Sequence, residues 1–552
     1  MVSSKIGKTA IIGFVLLIVP FHAHAYSNYD NWCDLDGQHY YINTSSFTSR
    51  GMPSDVAHQI KSMAVWWSEA GADFDFTYWG TTSGCRSHRT VCAQTEAEDD
   101  GLQGGTHAYT SLSRSWYPWC DFWGKNLHQY WIVVNADLTW AYDAEEAEYH
   151  LNFPTMFAHE SGHALGGAHT NPTTYPDAIM YQSGPVGNNE RRFLHSDDQL
   201  GLIANSYGRR TKTMKIRSAS YNGNGTLSFG NIYTFGGSYY NTHLRPAIIG
   251  NWHNTYLLEA DDFDYVVAWV TNTGSIRVAC VQDTSFNSHS IVRLATIPGS
   301  NTTSPPSVAI GTHDKIKIAW RGVGTSNPIK ITHTNFNLSS FTTQTISSWQ
   351  PMSTPVITYM PAENRYVLAW IRDDGSERYR IAIAVSIYAT AWYAYMTYPG
   401  NDPQLPEFVT SLWHPPAITC YGNLTSSDTC QMNYTRFRTS DVLYVDQQGF
   451  QLGTYGTYLD TVSTDYWIYW NSTYAPLSIA AGGNEWLYTM VESNADVGIM
   501  WYRAKPFWKG VGGDYRYYST YNRSDMTSRV GFPIGYNYRQ GWYNIVWYDH
   551  KP

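Results

Sequence analysis

Beyond about residue 211 the apolar positions fall into short runs cut by Gly, Asn, Ser, Thr and Pro. The runs "RPAIIG", "PPSVAIG", "TPVITYM", "PPAITCYG", "APLSIAAGG" and "GFPIGYN" are variants of one another, anchored at Pro246, Pro306, Pro355, Pro416, Pro476 and Pro533. The intervals between those prolines are 60, 49, 61, 60 and 57 residues. A second run follows each: "YVVAWV", "IKIAWR", "YVLAWI", "CQMNYT", "WLYTMV" and "YNIVWY". In four of the six, its aromatic or Met position lies 14 or 15 residues after the proline. A period of this length, with about four short strands per unit, predicts the blades of a six-bladed β-propeller. The sixth repeat has room for only two strands before Pro552, so "TMKIRSAS" and "GTLSFG" within 213–230 are expected to complete it. Such closure would pair the two ends of the region and leave no open sheet edge. An elongated β-repeat or a pair of sandwiches are the alternatives.

Residues 26–208 alternate strand and helix signals instead. "HYYINTSSF" reads as a strand. "SDVAHQIKSMAVWWSEAG" places Val56, Ile60, Met63, Ala64 and Trp67 at helical spacing, with Ser54 as N-cap and Gly71 as stop. "DFDFTYWG" alternates with period two and "HQYWIVVNADLTW" is a second strong strand. A helix is expected to start near Pro154, a residue favoured in a first turn. "RRTKT" at 209–213 reads as a short basic linker, so the expected division is 26–208 and 214–552.

Residues 1–25 read as an export signal. Lys5 and Lys8 precede the apolar run "AIIGFVLLIVPF", which is short for a membrane span, and "AHA" at 23–25 is a cleavage pattern that sets a mature start near Tyr26. An uncleaved anchor is the alternative. No later stretch is apolar enough to cross a bilayer, so a secreted, extracellular protein is expected, or a periplasmic one in a bacterium. Export permits disulfides. Cys33, Cys85, Cys92 and Cys120 allow three pairings, and Cys420 and Cys430 flank one turn. Cys280, in "IRVACV", is expected as a buried free thiol. Hydrophobic residues make up 43% and aromatic residues 16% of the chain, which argues against disorder. A formal net charge of -9 over 552 residues argues against nucleic acid as a partner.

Chemistry concentrates in "HESGHALGGAH", residues 159–169. On a helix His159 and His163 are four residues apart and share a face, so both imidazoles can reach one metal ion. A glycine can take a left-handed conformation and end the helix, so Gly166 lets the chain turn and bring His169 to the same point. Three neutral imidazoles with a fourth position open describe a catalytic zinc site. Glu160, beside the first ligand, is placed to take a proton from water that the metal acidifies.

The pattern HExxHxxGxxH resembles the metzincin zinc peptidases. "HALGGAHT", "AIMY" and "SDDQLGLIANSYG" are similar to the matrixin group, whose closing helix has the form DDxxGIQxLYG; Asp197, Asp198, Gly201, Leu202, Tyr207 and Gly208 match it. The resemblance covers about 26–208 and none of the repeats. It implies an α+β metzincin domain, a protein or peptide substrate, one catalytic zinc on His159, His163 and His169, and Glu160 as general base. It further implies Met180 as the Met-turn residue beneath the metal, and Tyr181 as a candidate lining residue of the substrate pocket. "DDGLQGGTHAYT" resembles the metal-binding loop of animal matrixins, which makes Asp99, Asp100 and His107 a candidate second site, including one for calcium. The latency motif PRCGxPD of animal matrixins is absent from the sequence.

The repeat region carries no comparable cluster. Asp373 and Asp374 in "IRDDGS" make an incomplete Asp-box turn, and His243, His253, His313 and His550 are scattered. Its aromatic residues would suit carbohydrate stacking or plain packing. N-x-S/T triplets occur at Asn301, Asn423 and Asn471. The expectation is a secreted zinc endopeptidase whose propeller recruits the target by binding protein or carbohydrate. A rival is an extracellular adhesin or lectin-like propeller whose peptidase-like half is not the working part. A propeller glycosidase is disfavoured because no carboxylate pair stands out. Because the motifs of 26–208 are complete without the repeats, that segment is expected to fold and cleave small peptides alone.

Overall fold

The computed structural model describes residues 31–32, 38–53, 56–73, 76–104, 106–114, 125–142, 150–170, 178–180, 194 and 196–203 of the N-terminal region. In the repeat region it describes 211–222, 227–252, 262–312, 315–323, 327–349, 351–361, 363–373, 379–387, 391–397, 415–421, 429–437, 443–452, 459–468, 478–482, 485–491, 496–503, 516–527 and 532–548. The expected export signal at 1–25, and Ser54, Cys33, Cys120, Tyr181 and Tyr207, lie outside the described residues.

The N-terminal region is built on one six-stranded sheet. Its strands are β1 (Asn31–Trp32), β2 (Gln38–Ile42), β3 (Phe76–Thr81), β4 (Thr90–Gln94), β5 (Ala108–Arg114) and β6 (Lys125–Asn135), in the order β1-β6-β4-β2-β3. β5 also pairs with β6, and it is the one antiparallel member. The strand expected from "HYYINTSSF" stops at Ile42. The Asn43 side chain accepts from the Ser46 amide at 3.1 Å and so caps a short helix, α1 (Thr44–Thr48). "HQYWIVVNADLTW" is likewise interrupted: Asn135 accepts from the Asp137 amide at 2.9 Å and turns the chain before β7 (Trp140–Ala141). β7 pairs in parallel with β8 (Leu151–Asn152).

Two longer helices pack on one another and on this sheet: α2 (Val56–Glu69) and α3 (Phe153–Ala164). Val56, Ile60, Met63, Ala64 and Trp67 are all buried, as the helical spacing requires. The Trp67 indole donates to the Ala158 carbonyl at 2.9 Å, joining α2 to α3. Asn152 caps α3 by accepting from the Thr155 amide at 3.1 Å, and Pro154 sits in its first turn. A last short helix, α4 (Ser196–Leu202), follows.

In the repeat region five sheets have four strands each, beginning with 247–250, 307–311, 356–360, 417–421 and 478–482. A sixth joins the strand Ile534–Asn537 to Trp542–Tyr548, then to Lys212–Tyr221 and Leu227–Phe229. Each first strand begins one or two residues after an anchoring proline, where a missing amide costs the ladder nothing. The first strand of every sheet neighbours that of the next, and 534–537 returns to 247–250, so the six form a closed, propeller-like ring. The expected pairing of the two ends is present: Tyr543–Tyr548 runs antiparallel to Met214–Ala219. The strand starts at Lys212, inside the stretch read as a linker, because the β-ladder recruits the residues next to it.

Trp269, Trp320, Trp370 and Trp547, from the "AW" and "VW" steps of the second runs, are almost fully buried between sheets. Closure also carries a buried polar group. Asp283 of the first sheet accepts from Asn537 (2.7 Å), Asn544 (2.8 Å) and the Trp542 indole (2.9 Å) of the last hairpin. Burial pushes the Asp283 carboxyl up, but His289 and these donors outweigh it and hold it below its ordinary value. Cys85–Cys92 and Cys420–Cys430 are disulfides, and Cys280 is buried and free.

Candidate metal centre

α3 supplies His159 and Glu160 side by side and His163 one turn later. It ends in a Schellman motif: the Gly166 amide donates to His163 at 2.9 Å and the Gly167 amide to Gly162 at 2.9 Å. Gly166 has φ +90°, a conformation that costs a residue with a Cβ roughly 1–2 kcal/mol. That turn carries His169 back over the helix. The Nε2 atoms of His159 and His169 are 3.3 Å apart, and those of His163 and His169 3.2 Å.

The far sides of two rings fix what those nitrogens can do. Nδ1 of His159 faces the Ile179 carbonyl at 2.7 Å, and Nδ1 of His163 the Gly167 carbonyl at 2.7 Å. A carbonyl only accepts, so both Nδ1 atoms carry the proton and both Nε2 atoms present a lone pair. A proton on His169 Nε2 can be shared with these lone pairs, whereas a cation at their centre can accept from all three rings at once. A tetrahedral metal with bonds of about 2.0–2.1 Å separates its nitrogens by about 3.3–3.4 Å, close to the spacing observed. The donor set therefore fits zinc. Burial, and then the neighbouring His163, hold His169 below its usual pKa, which favours the neutral form a ligand must have.

Glu160, next in the chain to His159, is buried. Thr110 on β5 holds it, its hydroxyl lying 2.6 Å from Glu160 Oε2 and 2.8 Å from the Glu160 carbonyl. Burial pushes the Glu160 carboxyl up, against the pull of His163 and Thr110. Below the helix lies Met180, fully buried. A Cβ on Gly162 would collide with the Met180 sulfur and with Trp67, so only glycine lets the helix sit this close. Asp198 of α4 fixes the Met180 backbone, accepting from the amides of Ile179 (2.9 Å) and Met180 (3.2 Å).

The second candidate site is not brought together. Asp99 is buried and accepts from Arg86 (3.0 Å), Tyr109 (2.6 Å) and the Gly101 amide (2.9 Å). Burial pushes its carboxyl up, but these bonds more than offset that. Asp100 bonds the Gln103 amide at 3.1 Å, and the exposed His107 lies edge-on to Trp140. Among the described residues, His159, His163 and His169 are the one group of three or more that could hold an ion. In the repeat region His243 is buried, bonding the Val270 carbonyl, and does not join any such group. Sequence reasoning did not single out Thr110, and it placed Trp67 on the apolar face of its helix without its bond to Ala158: each is distant in the chain from residue 160. Asp198 was visible as part of the closing-helix pattern, without its role.

The matrixin peptidase family matches residues 110–208, the span that holds this cluster. An 83-residue stretch of the chain is 41% identical to Matrix metalloproteinase-2 of Drosophila melanogaster, covering 14% of this chain and 10% of that protein. Solved structures similar to the chain include AofleA from Arthrobotrys oligospora (10% identity, TM-score 0.37, 55% of this chain and 79% of that one). Another is the Aleuria aurantia lectin, described as a six-bladed β-propeller (12% identity, TM-score 0.34, 56% and 97%). A third is an endo-arabinase from Bacteroides thetaiotaomicron (13% identity, TM-score 0.28, 50% and 94%). The propeller-like arrangement is carried by the ring of inner strands, not by these similarities.

Proposed function

We propose that the chain is an exported, zinc-dependent endopeptidase, with residues 26–208 as the catalytic part and the repeat region as the part that recruits or orients a protein target. One observation carries the reading: Nε2 of His169 lies 3.3 Å from that of His159 and 3.2 Å from that of His163, and the Nδ1 atoms of the latter two face backbone carbonyls. The match of 110–208 to the matrixin family supports it. His159, His163 and His169 would hold the ion. When bound, zinc supplies Lewis acidity at that point, acidifying water and polarising a carbonyl. Glu160 accepts the proton that water gives up as it attacks the peptide carbonyl, and returns it to the leaving amine. Its burial raises its proton affinity, which suits a group that must both take and release a proton. Thr110 sets the carboxylate's orientation through its 2.6 Å bond. Among the described residues no helix is long and apolar enough to cross a membrane.

Casein digestion by the purified chain, with and without a chelator and beside Glu160→Ala, tests this. The parent chain is expected to cleave casein and to lose that activity on chelation. Glu160→Ala should keep its metal and lose about 10²–10⁴-fold in turnover. Cleavage that survives both treatments would remove the histidine cluster as the active site.

A further inference from the structure

One side chain of the repeat region reaches into the N-terminal region and is buried there. Arg321 ends the second strand of the second sheet (Lys315–Arg321). Its backbone is locked in the propeller: its amide donates to Ser304 Oγ at 3.1 Å and its carbonyl accepts from Thr302 at 2.8 Å. Its guanidinium leaves that frame. Nη1 donates to the Met352 carbonyl at 3.3 Å, while Nη2 donates to the Leu194 carbonyl and to Gln199 Oε1, both at 3.2 Å. The residue is 6% exposed. Burial lowers its pKa to about 10, with Asp198 pulling the other way.

What it grips is next to the metal centre. Gln199 follows Asp198 in α4. Asp198 holds the amides of Ile179 and Met180, and the Ile179 carbonyl in turn accepts from Nδ1 of His159. A short bonded path thus runs from a propeller strand to a candidate ligand.

We propose that Arg321 is a positioning residue for the histidine site: by clamping Leu194 and Gln199 it fixes Asp198, and through Asp198 the 179–180 backbone that orients His159 and seats Met180. That this orders a working peptidase rests on the reading above; that it orders residues 179–180 does not. The forked guanidinium suits the task because one rigid group serves acceptors from both regions, which a single ammonium cannot reproduce. Truncating it leaves a buried carbonyl and a buried amide oxygen without their donor. The N-terminal segment alone would lack this clamp, so its motifs are complete in sequence but not in support. Among the described residues a second charged contact between the regions, Lys212 to Asp73 at 3.7 Å, is partly exposed and offers no such grip.

The test uses the full chain in four forms: parent, Arg321→Ala, Arg321→Lys and Lys317→Met. Lys317 is the control. It is buried on the same strand, over the Tyr366 ring at 4.1 Å, so its loss perturbs the propeller without touching Leu194 or Gln199. Two quantities are read: hydrogen exchange at the Ile179 and Met180 amides in metal-free protein, and kcat and KM for a short peptide too small to reach the repeats. Arg321→Ala should speed exchange at those amides and lower kcat about tenfold with KM nearly unchanged. Arg321→Lys should recover part of both losses, and it carries the test should the alanine variant fail to fold. Lys317→Met removes a buried charge, so it should shift the melting temperature and leave both readouts at parent values. Parent-like exchange in both Arg321 variants would overturn the proposal, and so would equal acceleration in Lys317→Met. A parent chain that cleaves no peptide would sink the peptidase reading, while the exchange data would still decide the role of Arg321.

Discussion

The two regions assemble their key contacts over very different chain distances. In the N-terminal region the three imidazoles and Glu160 lie between residues 159 and 169, brought together by one helix and one glycine turn. In the repeat region the contact that closes the ring joins Ser218 to Asn544 at 2.8 Å, 326 residues apart. A local site forms once its helix is seated. A ring forms only when its last strand arrives, since each sheet is covered by the next and the end sheets cover one another. The Arg321 contact then makes the local site depend in part on the non-local one.

The sharpest break between the two comes from truncation. Deleting Trp542 to Pro552 removes the strand between Ile534–Asn537 and Lys212–Tyr221, along with Trp547 and two of the donors to Asp283. The repeat region should lose its cooperative melt altogether. An unchanged melt by calorimetry would mean that closure does not hold the ring.

A smaller effect is expected at the local turn. Gly166→Ala places a Cβ at φ +90° and should cost about 1–2 kcal/mol, lowering the first melting transition and weakening metal binding. Repeat-region stability should stay within error, as chemical denaturation followed by two probes would tell. Thr110→Val comes next. It keeps the shape of the side chain but frees Glu160, so kcat should fall about tenfold with the metal retained. An unaltered kcat would leave Thr110 as mere packing.

The smallest contrast is in pH dependence. Burial raises Asp197 of α4 from 3.8 to about 6. A carboxyl held neutral when folded binds more protons folded than unfolded, so its contribution falls as pH rises through that window. Burial lowers Lys317 of the propeller from 10.5 to about 8. Here the unfolded chain binds more protons, so the contribution grows as pH rises from about 8 toward 10.5. Asp197→Asn should flatten the acid slope and Lys317→Met the alkaline one; melts against pH in which both slopes persist would contradict these assignments.

Much of this was legible in the sequence, for reasons the two regions share. Repetition made the propeller visible: prolines at regular intervals marked each inner strand, and the runs "TMKIRSAS" and "GTLSFG" within 213–230 read as strands of the same kind. Fixed spacing made the candidate metal site visible, because an i, i+4 pair and a turning glycine have few other uses together. Supports built from residues far apart in the chain were not legible. Thr110 and Trp67 carry no pattern that points to residue 160, and Arg321 sits in a run, "IKIAWR", that reads as one more strand. Side chains that end strands also misled. Asn43 and Asn135 look like strand members by period but cap or turn the chain with their own amides. The acidic loop at Asp99 misled in the opposite sense, since its carboxylate serves Arg86 and Tyr109.

The central claim is that the histidine cluster holds a metal ion that Glu160 does not help to bind. Metal content by mass spectrometry, after zinc loading and exhaustive dialysis, tests it most directly. The parent chain and Glu160→Ala should each retain about one zinc per chain, and His169→Ala should retain almost none, since three imidazoles are needed to hold the ion. Equal zinc in all three proteins, or none in the parent chain, would contradict the account.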